Sequence, residues 1–254
     1  MGTLVVTGSA SGIGAALRRQ LEAEGHRVIG VDLEQAEVAA DLSTVAGRAK
    51  AVRQSLEAAG GKLDGFVACA GVGPTAGSSS LIVSVNYFGA VELLDGFADA
   101  LSTSGSASAV VVCSNSATTV PDLPEDLIAA MLDDDEGSAR WNAESVDGTT
   151  AYATSKLALS RAVRRRAPRW AERGVRLNGV APGAVETPLL RETLEDETLG
   201  PAVRAFPIPA GSFGKPEQIA AMISFLLGPQ ASFCVGSIVF IDGGTDALLR
   251  PDRF

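Results

Sequence analysis

Histidine is almost missing from this chain: among 254 residues only His26 carries an imidazole. A serine–histidine–acid triad would have to use it, yet it stands just before an apolar run, far in sequence from any plausible nucleophile. His26 therefore reads as structural. Cysteine is nearly as scarce. Cys69, Cys113 and Cys234 are odd in number, widely spaced and set in apolar runs without a CxxC pair. That pattern argues against a disulfide framework and a zinc site, and suggests buried thiols in a reducing compartment. The acidic run Asp133–Glu136 is no metal site either, because consecutive carboxylates on a helix cannot converge on one ion. No apolar run approaches membrane-spanning length and no leader-like segment precedes the first strand, so the expected location is the cytoplasm. Positive charge is in deficit, with 21 Lys and Arg against 30 Asp and Glu and a net charge of −9. This argues against nucleic acid or an anionic membrane surface as partner. The basic cluster Arg161–Arg169 reads instead as the polar face of a helix.

Aromatics make up only 5% of residues, whereas glycine is plentiful at 28. That balance suits helices packed closely on a sheet, and the most telling glycines come first. Thr3–Val6 is a short apolar run, Thr7-Gly8-Ser9-Ala10-Ser11-Gly12-Ile13-Gly14 follows, and an amphipathic stretch with Leu17 and Leu21 on one face runs to about Glu24. Strand, glycine-rich turn and helix in this order form a phosphate cradle, where a pyrophosphate meets bare backbone and the positive end of the helix. Gly8, Ser11, Gly12, Ile13 and Gly14 are its candidate contacts. The second strand, Arg27–Asp32, ends on an acid 18 residues past Gly14, where a carboxylate accepts hydrogen bonds from an adenine ribose. A carboxylate there repels a 2′-phosphate, and neither Ser11 nor Leu33 is basic. NAD(H) is favoured over NADP(H). Arg18 and Arg19 lie nearby but read as solvated.

Further strands are expected at Val38–Leu42, Leu63–Gly71, Ala109–Ser114, Val175–Val180 and Ile238–Asp242. Helices are expected at Thr44–Ala59, Leu81–Ser102, Tyr152–Arg173 and Pro216–Leu227, with loops at Val72–Ser80 and Pro182–Gly214. Alternating strands and helices with right-handed crossovers predict an α/β fold, a doubly wound parallel sheet with helices on both faces, in a single domain spanning 1–254.

On the Tyr152–Arg173 helix, Tyr152 and Lys156 are four residues apart and share a face. A nearby cation favours phenolate over phenol, which suits a tyrosine that moves a proton on or off an alcohol oxygen.

These motifs together resemble the short-chain dehydrogenase/reductase family along nearly the whole chain. The matching segments are Thr7–Gly14, Cys69-Ala70-Gly71, Val85-Asn86, Tyr152-x-x-x-Lys156, Pro182-Gly183 through Thr187, and Asp242-Gly243-Gly244. Within the family, Ser84–Gly89, Glu186–Leu190 and the tail Arg250–Phe254 resemble the bacterial hydroxysteroid dehydrogenase/carbonyl reductase branch. The resemblance implies a Rossmann-type fold and a catalytic set of Asn86, Ser114, Tyr152 and Lys156. Tyr152 would exchange the proton, Lys156 would also hold the nicotinamide ribose, and Asn86 would anchor a helix distortion and a relay water. Asp41 and Leu42 would flank the adenine, Ala70 and Gly71 would wall that side, and Pro182, Gly183, Val185 and Thr187 would lie along the nicotinamide end.

Two departures stand out. Cys69 occupies a position where the family commonly has Asn, and the serine lies 38 residues before Tyr152, farther than the family's usual spacing. Counting from the strand favours Ser114, with Ser116 as the rival. The additional stretch, about 117–148, is expected to form a short amphipathic helix at Leu127–Leu132 with an acidic exit, covering one side of the substrate cleft and altering a helix-pairing dimer face beside Tyr152. The segment at about 187–214 is expected to be an apolar lid. The expected activity is interconversion of a secondary alcohol and a ketone on an apolar small molecule such as a hydroxysteroid or a cyclic or terpenoid ketone, by a homodimer or homotetramer. The alternatives are an NADPH-dependent 3-oxoacyl reductase and a non-catalytic dinucleotide-binding sensor.

Overall fold

The computed structural model describes residues 1–253; Phe254, the last residue of the tail motif, lies outside the described residues. Seven strands, β1 (Thr3–Thr7), β2 (Arg27–Asp32), β3 (Val38–Ala39), β4 (Gly65–Ala68), β5 (Ser108–Val112), β6 (Arg176–Pro182) and β7 (Ile238–Ile241), pair in the order β3-β2-β1-β4-β5-β6-β7. Every pairing is parallel. Because the winding reverses between β1 and β4, a crevice opens at the carboxyl ends of these strands.

The side-chain period of two sorts each strand between two cores. Leu4, Val6, Val67, Val110 and Val112 face α1 (Gly12–Ala23) and a carboxyl-terminal helix at Pro216–Leu227, meeting Leu17, Leu21, Ile219 and Ile223. Val5, Ile29, Val31, Phe66, Ala109 and Val111 face the other way, onto Phe97, Leu94, Leu159 and Val163. Burying both faces explains why these strands are continuous Val, Ile and Leu runs.

The remaining helices place the site. They are α2 (Val45–Ala59), α3 (Ser79–Val83), α4 (Gly89–Ser102), α5 (Ser116–Thr119), α6 (Glu125–Leu132), α7 (Glu136–Ala143), α8 (Gly148–Glu172), α9 (Pro188–Glu195), α10 (Leu199–Ala205), α11 (Pro216–Leu227) and α12 (Thr245–Leu249). Between α3 and α4 the chain makes a π-helical turn, Ser84–Phe88. The whole Ser79–Ser102 run of 24 residues is long and apolar enough to cross a membrane, contrary to the expectation of no such run. Its most apolar window is 67% buried within the protein, so it is apolar because it fills the core.

Several boundaries differ from expectation. β3 stops at Ala39, leaving Asp41 and Leu42 in the turn that leads to α2. The tyrosine helix starts at Gly148 rather than Tyr152, because the Asp147 carboxylate caps it by accepting the Thr150 N–H at 2.8 Å. The segment 117–148 holds the expected short helix as α6, but its acidic exit opens a further helix, α7, capped by Asp135. The segment 187–214 is not irregular: Thr187 caps α9 ahead of Pro188, and α10 follows. Nor is Arg18 solvated, since its guanidinium holds Glu37 and Glu22. Arg161 and Arg166 likewise pair with Glu125 and Asp95.

Phe97 is fully buried and packs edge-on against Phe66 with ring centroids 4.9 Å apart. Phe97→Ala should cost about 3–5 kcal/mol of unfolding free energy, measured by urea denaturation. A cost below about 1 kcal/mol would show that this core collapses around the gap.

Candidate active site

Gly8 takes a positive φ of 66°, and a β-carbon on it would lie 2.9 Å from the Ala70 backbone. A β-carbon on Gly14 would fall 2.0 Å from the Gly8 carbonyl oxygen. Only glycine lets β1, α1 and β4 approach this closely. Ser11, in the N-cap position of α1, supplies no side-chain cap, so the first-turn amides are left for another acceptor. The turn is closed from β2: Asp32 accepts the Ala10 N–H at 2.9 Å and its own neighbour Leu33 N–H at 2.8 Å, one on each carboxylate oxygen. Thr7 Oγ1 accepts the amides of Cys69 and Ala70, each at 3.0 Å, so the end of β4 is tied by Thr7 where the family commonly has Asn at the Cys69 position.

At the other end of the cavity, Lys156 is buried and its Nζ donates to the Val112 carbonyl at 3.0 Å. The same Nζ stands 5.7 Å from the centre of the Tyr152 ring. An ammonium has three donors, so the single strand-end carbonyl orients it without exhausting it. Asn86, inside the π-helical turn, clamps Val72 by accepting its N–H at 2.8 Å and donating to its carbonyl at 3.1 Å. It also reaches Ser155 Oγ at 3.5 Å, whose hydroxyl donates to the Tyr152 carbonyl. Asn86 thus joins the Gly71–Val72 strand exit to the tyrosine helix from behind the cavity rather than lining it. Ser114 Oγ accepts the Ser116 N–H at 3.1 Å, leaving the Ser114 proton free to donate. The Ser116 hydroxyl is buried without a partner among the described residues.

A cavity of about 730 Å³ joins these ends. Apart from Asn86, every candidate residue from Gly8 through Asp32, Asp41 and Leu42 to Ser114, Tyr152, Lys156, Val185 and Thr187 lines it. Its far wall is apolar, with Val72, Leu81, Val120, Leu189, Val203 and Phe206. Sequence reasoning missed the Val72 and Leu81 side, because those positions read as loop or as ordinary helix core. Of the 117–148 segment only Thr119 and Val120 reach the cavity; α6 packs on α8, and α7 on α3. The segment therefore buttresses the site more than it covers it, a correction to the expected cleft cover. Cys69 and Cys113 line the cavity as free thiols, and burial pushes the Cys69 thiol up to about 12 and raises Cys113 as well. A raised value keeps both in the thiol form near neutral pH. His26 accepts the Gly2 N–H through Nδ1, well away from this cavity.

The short chain dehydrogenase family model matches residues 2–122, and a model described as enoyl-(acyl carrier protein) reductase matches residues 139–246. Over 257 aligned residues, 100% of both chains, the sequence is 44% identical to 3-alpha-hydroxysteroid dehydrogenase/carbonyl reductase of Comamonas testosteroni. The chain belongs to the short-chain dehydrogenase/reductase family. The fold is also similar to the 3-alpha-hydroxysteroid dehydrogenase of Pseudomonas sp. B-0831 in complex with NADH, at 51% identity and a TM-score of 0.97, covering 99% of this chain and 100% of that one. Levodione reductase, 24% identical with a TM-score of 0.78 over 96% of this chain and 97% of its own, shares the fold. The glycine turn, Tyr152 and Lys156 of this oxidoreductase-family chain line one continuous cavity.

The carboxyl-terminal α12 holds the turn that follows Ser114. Thr118 on α5 donates to Asp246, Asp246 pairs with Arg250 at 2.9 Å, and Thr245 donates to the Pro207 carbonyl beyond α10. Burial disfavours the Asp246 carboxylate, but Arg250 and Thr118 outweigh it and hold its carboxyl below the ordinary range. A depressed folded-state value contributes stability above the unfolded carboxylate range that is lost as pH falls through the folded one. The unfolding midpoint of Asp246→Asn should therefore lie below the parent's at about pH 7 and converge with it as pH falls below the ordinary carboxylate range of about 4. A gap that does not change with pH would show that the carboxylate's charge is not what matters.

Proposed function

We propose that the chain is an NAD(H)-dependent dehydrogenase that interconverts a secondary hydroxyl and a ketone on a hydroxysteroid or a similarly apolar ring system. The observation that carries this reading is the continuity of one cavity from the glycine turn and Asp32, past Tyr152 and Lys156, to an apolar wall formed largely by α9 and α10. The full-length likeness to two 3-alpha-hydroxysteroid dehydrogenases, one with NADH bound, supports both cofactor and substrate class.

The residues fit the cofactor. The uncapped start of α1 and the bare backbone at Gly8 and Gly14 offer amides to a pyrophosphate, and Asp32 keeps acceptor capacity for ribose hydroxyls. Arg18 is the nearest cation on α1, and both carboxylate oxygens of Glu37 hold it, so it does not offer itself to a 2′-phosphate. Asp41 and Leu42 would flank the adenine, with Ala70, Gly71, Pro182, Gly183, Val185 and Thr187 along the nicotinamide side. When bound, NAD⁺ supplies the acceptor for hydride and NADH the donor.

In oxidation, Tyr152 takes the proton from the hydroxyl oxygen while the carbinol carbon gives up hydride; in reduction, it returns the proton to the carbonyl oxygen. Ser114 donates its free proton to that same oxygen and orients it against Tyr152. Lys156, fixed by Val112, places a buried positive charge beside the phenol where negative charge develops. Apolar side chains of α9 and α10 exclude water from the reacting carbon. Protonated thiols and an acidic surface suit a cytoplasmic setting.

Turnover of a 3α-hydroxysteroid should be far faster with NAD⁺ than with NADP⁺ in an absorbance assay at 340 nm. Tyr152→Phe should lower kcat by about 10²–10⁴-fold with NADH binding retained, and Ser114→Ala should lower kcat by a similar order. If Ser116→Ala is the slower of the two serine variants, the serine roles are exchanged. NADH binding without turnover of any secondary alcohol would point to the sensor. We also propose that α6, lying on the outer side of α8 with Glu125 paired to Arg161, keeps copies of this chain from associating through α8. Solution scattering should show a homo-oligomer without α8 pairing; a helix-paired tetramer would refute it.

A further inference from the structure

Arg48 is the largest fully buried side chain in the protein, with 1% of its surface exposed. It sits on α2, and its guanidinium serves three other parts of the fold at once. Nε donates to Glu92 of α4 at 2.8 Å, Nη2 donates to Glu136 at the first turn of α7, and Nη1 donates to the Leu42 carbonyl at 3.2 Å and to Glu136 at 3.3 Å. A buried guanidinium with two carboxylates is a costly arrangement that persists only when its fork is satisfied. Its third partner gives it a functional address, because Leu42 lines the cavity at the proposed adenine end.

Besides this contact, the Leu42 turn is tied through its neighbours. Asp41 accepts the Ser43 N–H through its carboxylate at 2.9 Å and the Thr44 hydroxyl through its carbonyl at 3.2 Å. Thr44 in turn caps α2 at Gly47, where a β-carbon would lie 1.8 Å from the Asp41 carbonyl oxygen. The turn is thus seated on the first turn of α2, and Arg48 at the next position along that helix holds the Leu42 carbonyl. Glu136 is unusual in another respect. It lies in the 123–138 stretch that falls between the two family matches, so this partner comes from a segment neither family model covers.

We propose that Arg48 and Glu136 are positioning residues for the cofactor: through the Arg48–Leu42 hydrogen bond, the α7 segment sets the adenine wall and thereby dinucleotide affinity. This rests on the reading of the cavity as an NAD(H) site. Glu136 fixes the Arg48 fork from one side and Glu92 from the other, so the Leu42 carbonyl meets a donor whose direction is already set. Neither residue touches the reacting atoms, and the nicotinamide end, built by Lys156, Val112 and Asn86, does not share this network.

The test uses the full chain and compares three ligands. Dissociation constants for NADH are measured by fluorescence titration, and those for AMP and nicotinamide mononucleotide by competition. Glu136→Gln should weaken NADH and AMP by the same factor, about five- to thirtyfold, and leave nicotinamide mononucleotide within about twofold. Arg48→Lys, which keeps the charge and loses the fork, should do the same if it folds. NADH and AMP affinities within twofold of the parent in Glu136→Gln, whatever happens to its melting temperature, would make the cluster purely structural and overturn the proposal. Equal weakening of nicotinamide mononucleotide would also overturn it, because loosening would then be global. A parent chain that binds no NADH at all would overturn the cofactor reading, and this inference with it.

Discussion

Close contact of bare backbone at the glycine turn is the constraint from which the rest of this structure follows. With a β-carbon at Gly14 only 2.0 Å from the Gly8 carbonyl, and one at Gly8 only 2.9 Å from Ala70, any side chain would push β1, α1 and β4 apart. Their closeness sets the first helix over the point where the sheet reverses its winding, and aims its free amides into the crevice. The two cores follow, since strands held this near to helices on both sides must be apolar on both faces.

Four polar groups at the site are oriented chiefly by backbone. Lys156 is held by the end of β5, Asn86 by the exit of β4, Asp32 by the glycine turn, and the Ser114 oxygen by an amide two residues on. Anchoring to backbone keeps the Lys156 cation and the Ser114 hydroxyl in fixed relation, the form of preorganisation on which the proposed proton exchange would draw. The outer supports are less regular. Asp246 of α12 braces the turn after Ser114, and the α6–α7 segment braces the tyrosine helix and, through Glu136 and Arg48, the Leu42 turn.

Much of this was legible before any coordinates because the signals were local. Continuous apolar runs marked most of the strands, the glycine spacing marked the cradle, and the four-residue step from Tyr152 to Lys156 marked a shared helix face. Where reading failed, the signal was present but competed with another. Thr187-Pro188 is a helix-start pattern, yet the prolines and charges around it read as loop. Asp135 capping α7 was hidden inside an acidic run that reads as the exit of the preceding helix. The π-helical turn at Asn86 has no periodicity of its own, and only the family resemblance marked a helix distortion there. Arg18 and Arg161 looked solvated because their partners, Glu37 and Glu125, are distant in sequence.

The amino-acid sequence by itself determined the sheet, the cradle, and the residue types that a hydride exchange with a dinucleotide needs. These depend on spacing within a turn or a helix, which neighbouring residues control. Tertiary structure decided which of those residues meet, and how. Packing across the sheet set Ser114 and Tyr152, 38 residues apart, on one cavity, put Asn86 behind it rather than in it, and drew Glu136 across to Arg48 and the Leu42 turn. Contacts of that range are set by how buried surfaces fit together, and no local pattern encodes them.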